Sequence, residues 1–286
     1  MKVLREIRIQ SIQYARIYIA DRTKEFQRGE VVIINKYFLE ILAVSRRILT
    51  ELLHMRSSLF FWTLFPFLML LLFGFIDEGT SRSFEESAPG ILIGAALFFS
   101  CLGGPIATIF AERKQLTLKR LLISPLSGIS YFLGIFMAYL VIALGQTLVV
   151  YGVAFFFGGT FHGSILLGFS IIFLSVASYV GLGFFFGSKF ARTAEDVNGP
   201  VAAIGVPLLV LGGTFFPPSE LPPYLLKIAY LDPIFHMNEA FKGVSANNLG
   251  WSEIYDHIIF LIIFTILSLL MGIYSYNRML NEEKRL

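Results

Sequence analysis

Charge is what this sequence has least of. Asp, Glu, Lys and Arg make up 15% of its 286 residues, against about 25% in an average soluble domain. A soluble surface has to be covered with charge, so this deficit argues against an ordinary globular domain more strongly than the 56% of hydrophobic residues does. Between Arg120 and Lys189 there is no Asp, Glu, Lys or Arg at all. Cysteine is almost absent: the single Cys101 excludes an intrachain disulfide and a cysteine-based zinc site. It lies in an apolar run and reads as a small packing residue. No GxxxxGKS or GxxxxGKT loop occurs, so the chain has no P-loop with which to bind ATP. HExxH, CxxC and GxSxG are missing as well. The four histidines, His54, His162, His236 and His257, lie far apart on separate stretches, the pattern of interfacial or loop histidines rather than of a metal centre. No catalytic residue, metal or cofactor is expected on this chain, and a net charge of +3 is too small to argue for a nucleic-acid partner.

What the sequence has in quantity is long apolar runs. A bilayer core of about 30 Å needs roughly 20 apolar residues in a helix, and backbone polar groups in lipid must be paired, so such runs are expected to be helical. The first run is Ser58 to Ile76. It follows a long charged segment, whereas a secretory signal begins within the first few residues, so it is expected to stay in the membrane. The second runs from Gly90 to Phe110, after the polar stretch DEGTSRSFEESAP. The uncharged stretch after Arg120 is too long for one span; Gly158 to Ser164 divides it into spans near 129–157 and 165–187. A fifth run lies between Asp196 and Glu220, and a sixth from about Ile254 to Tyr276. The fold class expected is an all-α membrane protein with six transmembrane helices across 58–276, an N-terminal extension over 1–35, an interface helix within 36–57 and a tail over 277–286.

Basic residues fix the expected orientation. The N-terminal segment, the loops after spans two and four and the C-terminal tail hold 20 Lys and Arg, while the opposite side holds Arg82, Lys227 and Lys242. Both termini are therefore placed in the cytoplasm.

Three stretches outside the spans are informative. Residues 36–53 form an amphipathic pattern, with Phe38, Ile41, Leu42, Leu49 and Leu52 at helical spacing on one face. Lys36, Glu40, Arg47 and Glu51 fall on the other and pair at i,i+4, with Arg46 beside them. Such a helix just before a span suits the cytoplasmic interface, basic side chains toward headgroups; the alternative is packing on another helix of the same chain. After the second span, Glu112, Arg113, Lys114, Thr117, Leu118, Lys119 and Arg120, ending at Pro125, read as a short amphipathic segment suited to a groove on a partner, or as a basic loop obeying the positive-inside bias. Beyond the fifth span, Phe215, Phe216, Pro217, Pro218, Pro222, Pro223, Pro233 and Glu239 lie in a stretch that is neither span nor free loop. Two short helices dipping back into the outer leaflet fit it, since irregular backbone at that depth must be buried in protein or face water.

The second and third stretches also carry a resemblance. The pattern Glu112-Arg113, Thr117-Leu118, Pro125, together with Gly213-Thr214-Phe215-Phe216-Pro217 through Pro233 and Glu239-Ala240-Phe241, resembles the type-2 ABC permease family over roughly residues 36–280. Many members carry Gly where this chain has Leu116. The resemblance implies the membrane subunit of an ABC exporter, with ATP and magnesium on two copies of a separate ATPase and a second permease copy as partner. It also implies that the interface helix and the Glu112–Pro125 loop rest on the ATPase, and that the outer hairpin caps an exit path. Phe61, Phe65, Phe98 and Phe99 are pathway candidates, and phenylalanine suits a lipid or drug-like cargo better than sugar hydroxyls; packing or lipid contact would explain the same residues. A polysaccharide or glycolipid permease and an ion-coupled carrier are the alternatives, and the spans lack the mid-membrane carboxylates the latter would use.

Overall fold

A computed structural model describes residues 36–54, 56–76, 81–114, 126–190, 203, 205–215 and 217–283. Among these residues every regular element is helical. Residues 36–54 form α1, followed by α2 (Arg56–Ile76). Helix α3 (Ser81–Gly90) runs without a break through a π-helical segment (Ile91–Leu102) into α4 (Gly103–Lys114). Then come α5 (Gly128–Phe156), α6 (Ile165–Lys189), α7 (residues 205–211), α8 (Pro223–Ala229), α9 (Pro233–Ser245) and α10 (Trp251–Glu283).

Four of these stretches are long and apolar enough to cross a bilayer: Phe84–Lys114, Gly128–Phe156, Ile165–Lys189 and Trp251–Glu282. Phe60–Ile76 is a shorter apolar helix, and of the fifth predicted span only the central residues 203 and 205–211 are described as helix. Two helices are longer than expected. Residues 81–89, part of the polar stretch before the second run, are helical and extend that run at its N-terminal end, and the last helix extends past Tyr276 to Glu283. The predicted break in the uncharged stretch is present. Helix α5 ends at Phe156, Gly158 takes a φ of 85°, and Ser164 starts α6 by accepting a hydrogen bond from Leu167 N–H.

The centre of the bundle is the π segment, all of whose residues except Phe99 are buried. Gly103-Gly104-Pro105 follows it directly. Proline supplies no N–H to the preceding turn and glycine resists regular winding, which loosens the ladder there. Tyr179 from α6 donates to the Ile93 carbonyl at 3.2 Å, so a backbone acceptor in the segment is met from outside the helix. A related repair occurs in α2. Pro66 removes the donor that Trp62 O would otherwise receive, and Gln146 Nε2 from α5 donates to that carbonyl at 3.2 Å. The Ser100 hydroxyl lies 2.8 Å from Gln146 Oε1, so one amide ties α2, α5 and the π segment together.

Helix α6 packs against α4, α5, α9, α10 and the π segment. Its contact with α10 is backbone on backbone at Gly181 and Gly272, where a Cβ on Gly181 would lie 2.8 Å from Ser268 O. This is the small-residue approach that brings helices together in lipid. Of the pair after α7, α9 is sunk into the bundle through Ile234, Phe235, Met237, Asn238 and Phe241, whereas α8 buries only Ala229.

Candidate functional site

The predicted interface helix and the end of the second run meet at a buried carboxylate. Glu112, in the last turn of α4, is 5% exposed. Arg47 Nη2 of α1 donates to its Oε1, and the Tyr131 hydroxyl of α5 donates to its Oε2. Arg47 Nε also lies 3.3 Å from Glu51 Oε1. Tyr131 stacks on Tyr276 of α10, ring centroids 5.3 Å apart and 8° from parallel. A carboxylate this buried is costly unless paired and hydrogen-bonded, and here both its oxygens are satisfied. The result is one polar knot that joins α1, α4, α5 and α10 at the basic end of the bundle.

Helix α1 is placed for this by its own sequence. Val44, Ile48 and Leu52 form its buried seam, with Ile41 and Leu49 half-buried, and Gly134 of α5 gives the backbone room: a Cβ there would lie 3.0 Å from Ile41 O. The seam is offset from the apolar face read from the sequence. Phe38 and Leu42, expected on it, are exposed together with Tyr37, Leu39 and Leu53, and Arg47, expected on the charged face toward headgroups, reaches inward to Glu112. The helix thus presents one apolar seam to protein and a second apolar group of residues outward. Lys36 lies 3.9 Å from Glu40, which accepts from Ser127 N–H just before α5 at 3.5 Å. Arg46 is exposed.

Other predicted site residues are distributed as follows. Arg113 is half-buried, and Lys114 is exposed with its ammonium 5.9 Å from the Phe110 ring centroid. Thr117, Leu118, Lys119, Arg120, Pro125 and Phe216 lie outside the described residues, as does the extension 1–35. Phe61 is exposed, Phe65 and Phe99 meet edge-on at 5.9 Å, and Phe98 is turned into the bundle 5.8 Å from Tyr179.

At the opposite end the prolines do what proline does best. Pro223 and Pro233 occupy first-turn positions of α8 and α9, where a missing N–H costs nothing. Pro218 opens a short 3-10 turn after the exposed Pro217, and Pro222 caps α8. Phe215 lies 6.4 Å from Phe73, and Glu239 lines a cavity of about 80 Å³ with Glu86, Asn238 and Lys242.

Two histidines treated as unrelated in the sequence meet here. His236 Nδ1 of α9 is 2.9 Å from His257 Nδ1 of α10, and His236 Nε2 is 3.0 Å from the Tyr230 carbonyl. A carbonyl only accepts, so the Nε2 proton sits on His236, and in the neutral pair His257 Nδ1 must be the donor between the rings. Burial, with a smaller effect from His257, holds the His236 imidazole below its usual value. The folded chain then binds fewer protons at His236 than the unfolded one, so the contribution of His236 is present above 6.5 and is lost as pH falls toward the lowered value. Asp232, pushed up to about 7 by burial, acts with the opposite sign. The His236 contribution is therefore read as a difference. The melting temperature of wild type should drop more than that of His236→Gln when pH goes from about 7.5 to about 5; parallel curves would mean that the pair titrates freely.

The family profile described as ABC-2 type transporter matches residues 40–245, from the second turn of α1 to the end of α9. The chain belongs to that family. It is also similar to a protein described as a probable multidrug ABC transporter permease, YbhR, of Escherichia coli strain K12, and to the protein of the same description from Escherichia coli O157:H7. Each is 24% identical over 157 residues, 53% of this chain and 42% of the relative, so the chain spans less than half the length of these relatives. Membership fits the several membrane-capable helices of the bundle, as in a multi-pass membrane protein. Glu112, Arg47 and Tyr131 fall inside the matched range; Tyr276 lies beyond it. Tyr131 and Tyr276 went unnoticed in the sequence because neither stands in a motif, and only the fold brings them to Glu112.

Proposed function

We propose that this permease is the transmembrane half of an ATP-driven exporter that moves a hydrophobic or amphipathic substrate, lipid or drug-like, out of the cytoplasm or inner leaflet. It spans the cell membrane six times with both termini in the cytoplasm, and α8 and α9 form a re-entrant hairpin on the outer side. Two copies of the permease, as a homodimer, sit on two copies of an ATPase that hold the ATP and magnesium. The observation that carries this reading is the Arg47–Glu112–Tyr131 knot. Glu112 lies in the last turn of α4, so a push delivered to α1 or to the end of α4 reaches α5 and α10 as well. Alternating access follows if ATP binds more tightly when the bundles hold one arrangement, because only such a difference shifts the equilibrium. The multidrug description of YbhR and the exposed aromatic face of α2 at Phe60, Phe61 and Phe65 support an apolar cargo.

The test is purification of the tagged permease from native membranes in mild detergent, with ATPase activity measured in the eluate. Wild type is expected to bring down an ATPase of separate sequence, and a Glu112→Ala, Arg113→Ala variant to lose it or its stimulation by cargo. Recovery of the permease without any ATPase from several mild detergents would overturn the reading.

A further inference from the structure

The ends of α6 and α10 at the basic end enclose an open pocket of about 380 Å³ that the transport reading does not use. Arg113, Ser188, Lys189, Tyr274, Arg278 and Glu282 line it. Three cations face one carboxylate, and that carboxylate is already engaged by Arg278 Nε at 3.0 Å. The Arg278 guanidinium also hydrogen-bonds Tyr274, and its fixed fork of five donors exceeds what these two partners use. Lys189 is held over two rings, its Nζ 5.3 Å from the centroids of both Phe185 and Phe190. That contact orients the stem without using up the ammonium protons. The Ser188 hydroxyl is buried and has no hydrogen-bond partner among the described residues. An orphaned hydroxyl beside an excess of positive charge calls for an anion with acceptor oxygens.

The same site continues into an apolar track. Tyr274, Leu270, Leu267 and Ile263 follow one another at three- and four-residue steps up α10, and all four side chains are exposed. They form a ridge about 16 Å long at the helical rise, starting at the lip of the pocket and running toward the middle of a membrane-crossing helix. A soluble anion has no use for such a ridge; a lipid has.

We propose that this pocket binds the phosphate group of an anionic phospholipid, whose acyl chains lie along the α10 ridge. The phosphate is held by Lys189, Arg278 and the Ser188 hydroxyl, with Arg113 adding charge. The site is independent of cargo and needs only that α6 and α10 cross the bilayer, so it stands or falls separately from the exporter reading. It adjoins the coupling knot from behind: Arg113 follows Glu112, and Met279, another lining residue, lies one helical turn from Tyr276. Lipid in the pocket therefore braces the end of α10 against α6 where the knot is anchored.

Native mass spectrometry of the detergent-solubilised permease, with phosphatidylglycerol or phosphatidylcholine added, tests this. Wild type is expected to keep phosphatidylglycerol and shed phosphatidylcholine under the same activation. Lys189→Ala with Arg278→Ala removes two interfacial cations, each contributing about 1 kcal/mol, so retention should weaken about thirtyfold. Lys189→Arg should retain the lipid. Lys227→Ala with Lys242→Ala changes net charge equally at the far end and should leave retention as in wild type. Both pocket side chains are exposed, so the pocket variant should fold; if it does not, Lys189→Glu carries the same comparison. Equal retention by the pocket variant, equal loss in the far-end variant, or displacement of the lipid by inorganic phosphate alone would each overturn the proposal, the last by showing a free-phosphate site.

Discussion

Replacing Arg47 by alanine should lower the stability of the solubilised permease by about 2–3 kcal/mol. Removing one partner of a buried ion pair costs about 3–5 kcal/mol because the remaining charge is stranded. The lower figure applies here because the Arg47 side chain is 31% exposed and so is partly screened, and because Tyr131 still donates to Glu112. Glu112→Gln should cost less, about 1 kcal/mol, since the amide oxygen can still accept from one donor. The decisive variant removes both charges. Arg47→Met with Glu112→Leu leaves no stranded ion, and buried pairs replaced by apolar residues of like volume are often neutral. Its loss should therefore be smaller than that of Arg47→Ala alone, a non-additivity that independent sites do not show. Thermal melts followed by circular dichroism would measure all of these. A double-variant loss equal to the sum of the losses of Arg47→Met and Glu112→Leu made singly would mean that the two residues do not act as a pair.

The larger effect is expected at the α6–α10 seam. A Cβ on Gly272 would run into the carbonyl oxygen of Gly181, and Phe184 Cβ would be 3.2 Å away. Backbone cannot swing aside as a side chain does, so the helices must part. Gly272→Leu should cost about 3 kcal/mol or more, at or beyond the upper end for overpacking, because lipid offers no hydrophobic gain to hold separated helices near each other. Gly145 on α5 is the matched contrast: a Cβ there meets nothing within 4 Å. Gly145→Ala should stabilise by about 0.5–1 kcal/mol, the helix-interior penalty of glycine removed. Size-exclusion profiles after heating would separate the two, and equal behaviour would refute the idea that contact rather than glycine itself sets the cost.

The places where the sequence could be read follow from what its patterns encode. Runs without charge locate helices because lipid admits little else, and the Gly158–Ser164 break stood out as the one polar, glycine-rich interruption of such a run. The span ends were less legible. Residues 81–89 look like a loop by polarity, yet they form a helix, because Phe84 and Ala88 are buried and Glu85 is engaged by the Thr160 N–H and hydroxyl. Helical spacing proposed a face for α1 but not which neighbour it would meet, and the meeting of Val44 with Gly134 turned the helix. Glu112 and Arg47 both stand out in the sequence, but on separate stretches, and nothing there joins them to each other or to Tyr131. Ion pairs across 65 residues, like the ring contact between His236 and His257, are products of topology and leave no local trace.

The splice at Pro66 has a mechanical consequence. A helix broken by proline is ordinarily a free hinge whose open rung is met by whatever lies nearby. In α2 that rung is closed by a side chain belonging to another helix. The turn of α2 at Pro66 is therefore pinned by α5, and the pin also runs through Ser100 into the π segment. Any stroke that swings one half of α2 must either drag Gln146 with it or leave the Trp62 carbonyl bare in hydrocarbon. Where the molecule can flex is thereby also where its helices are forced to move in concert.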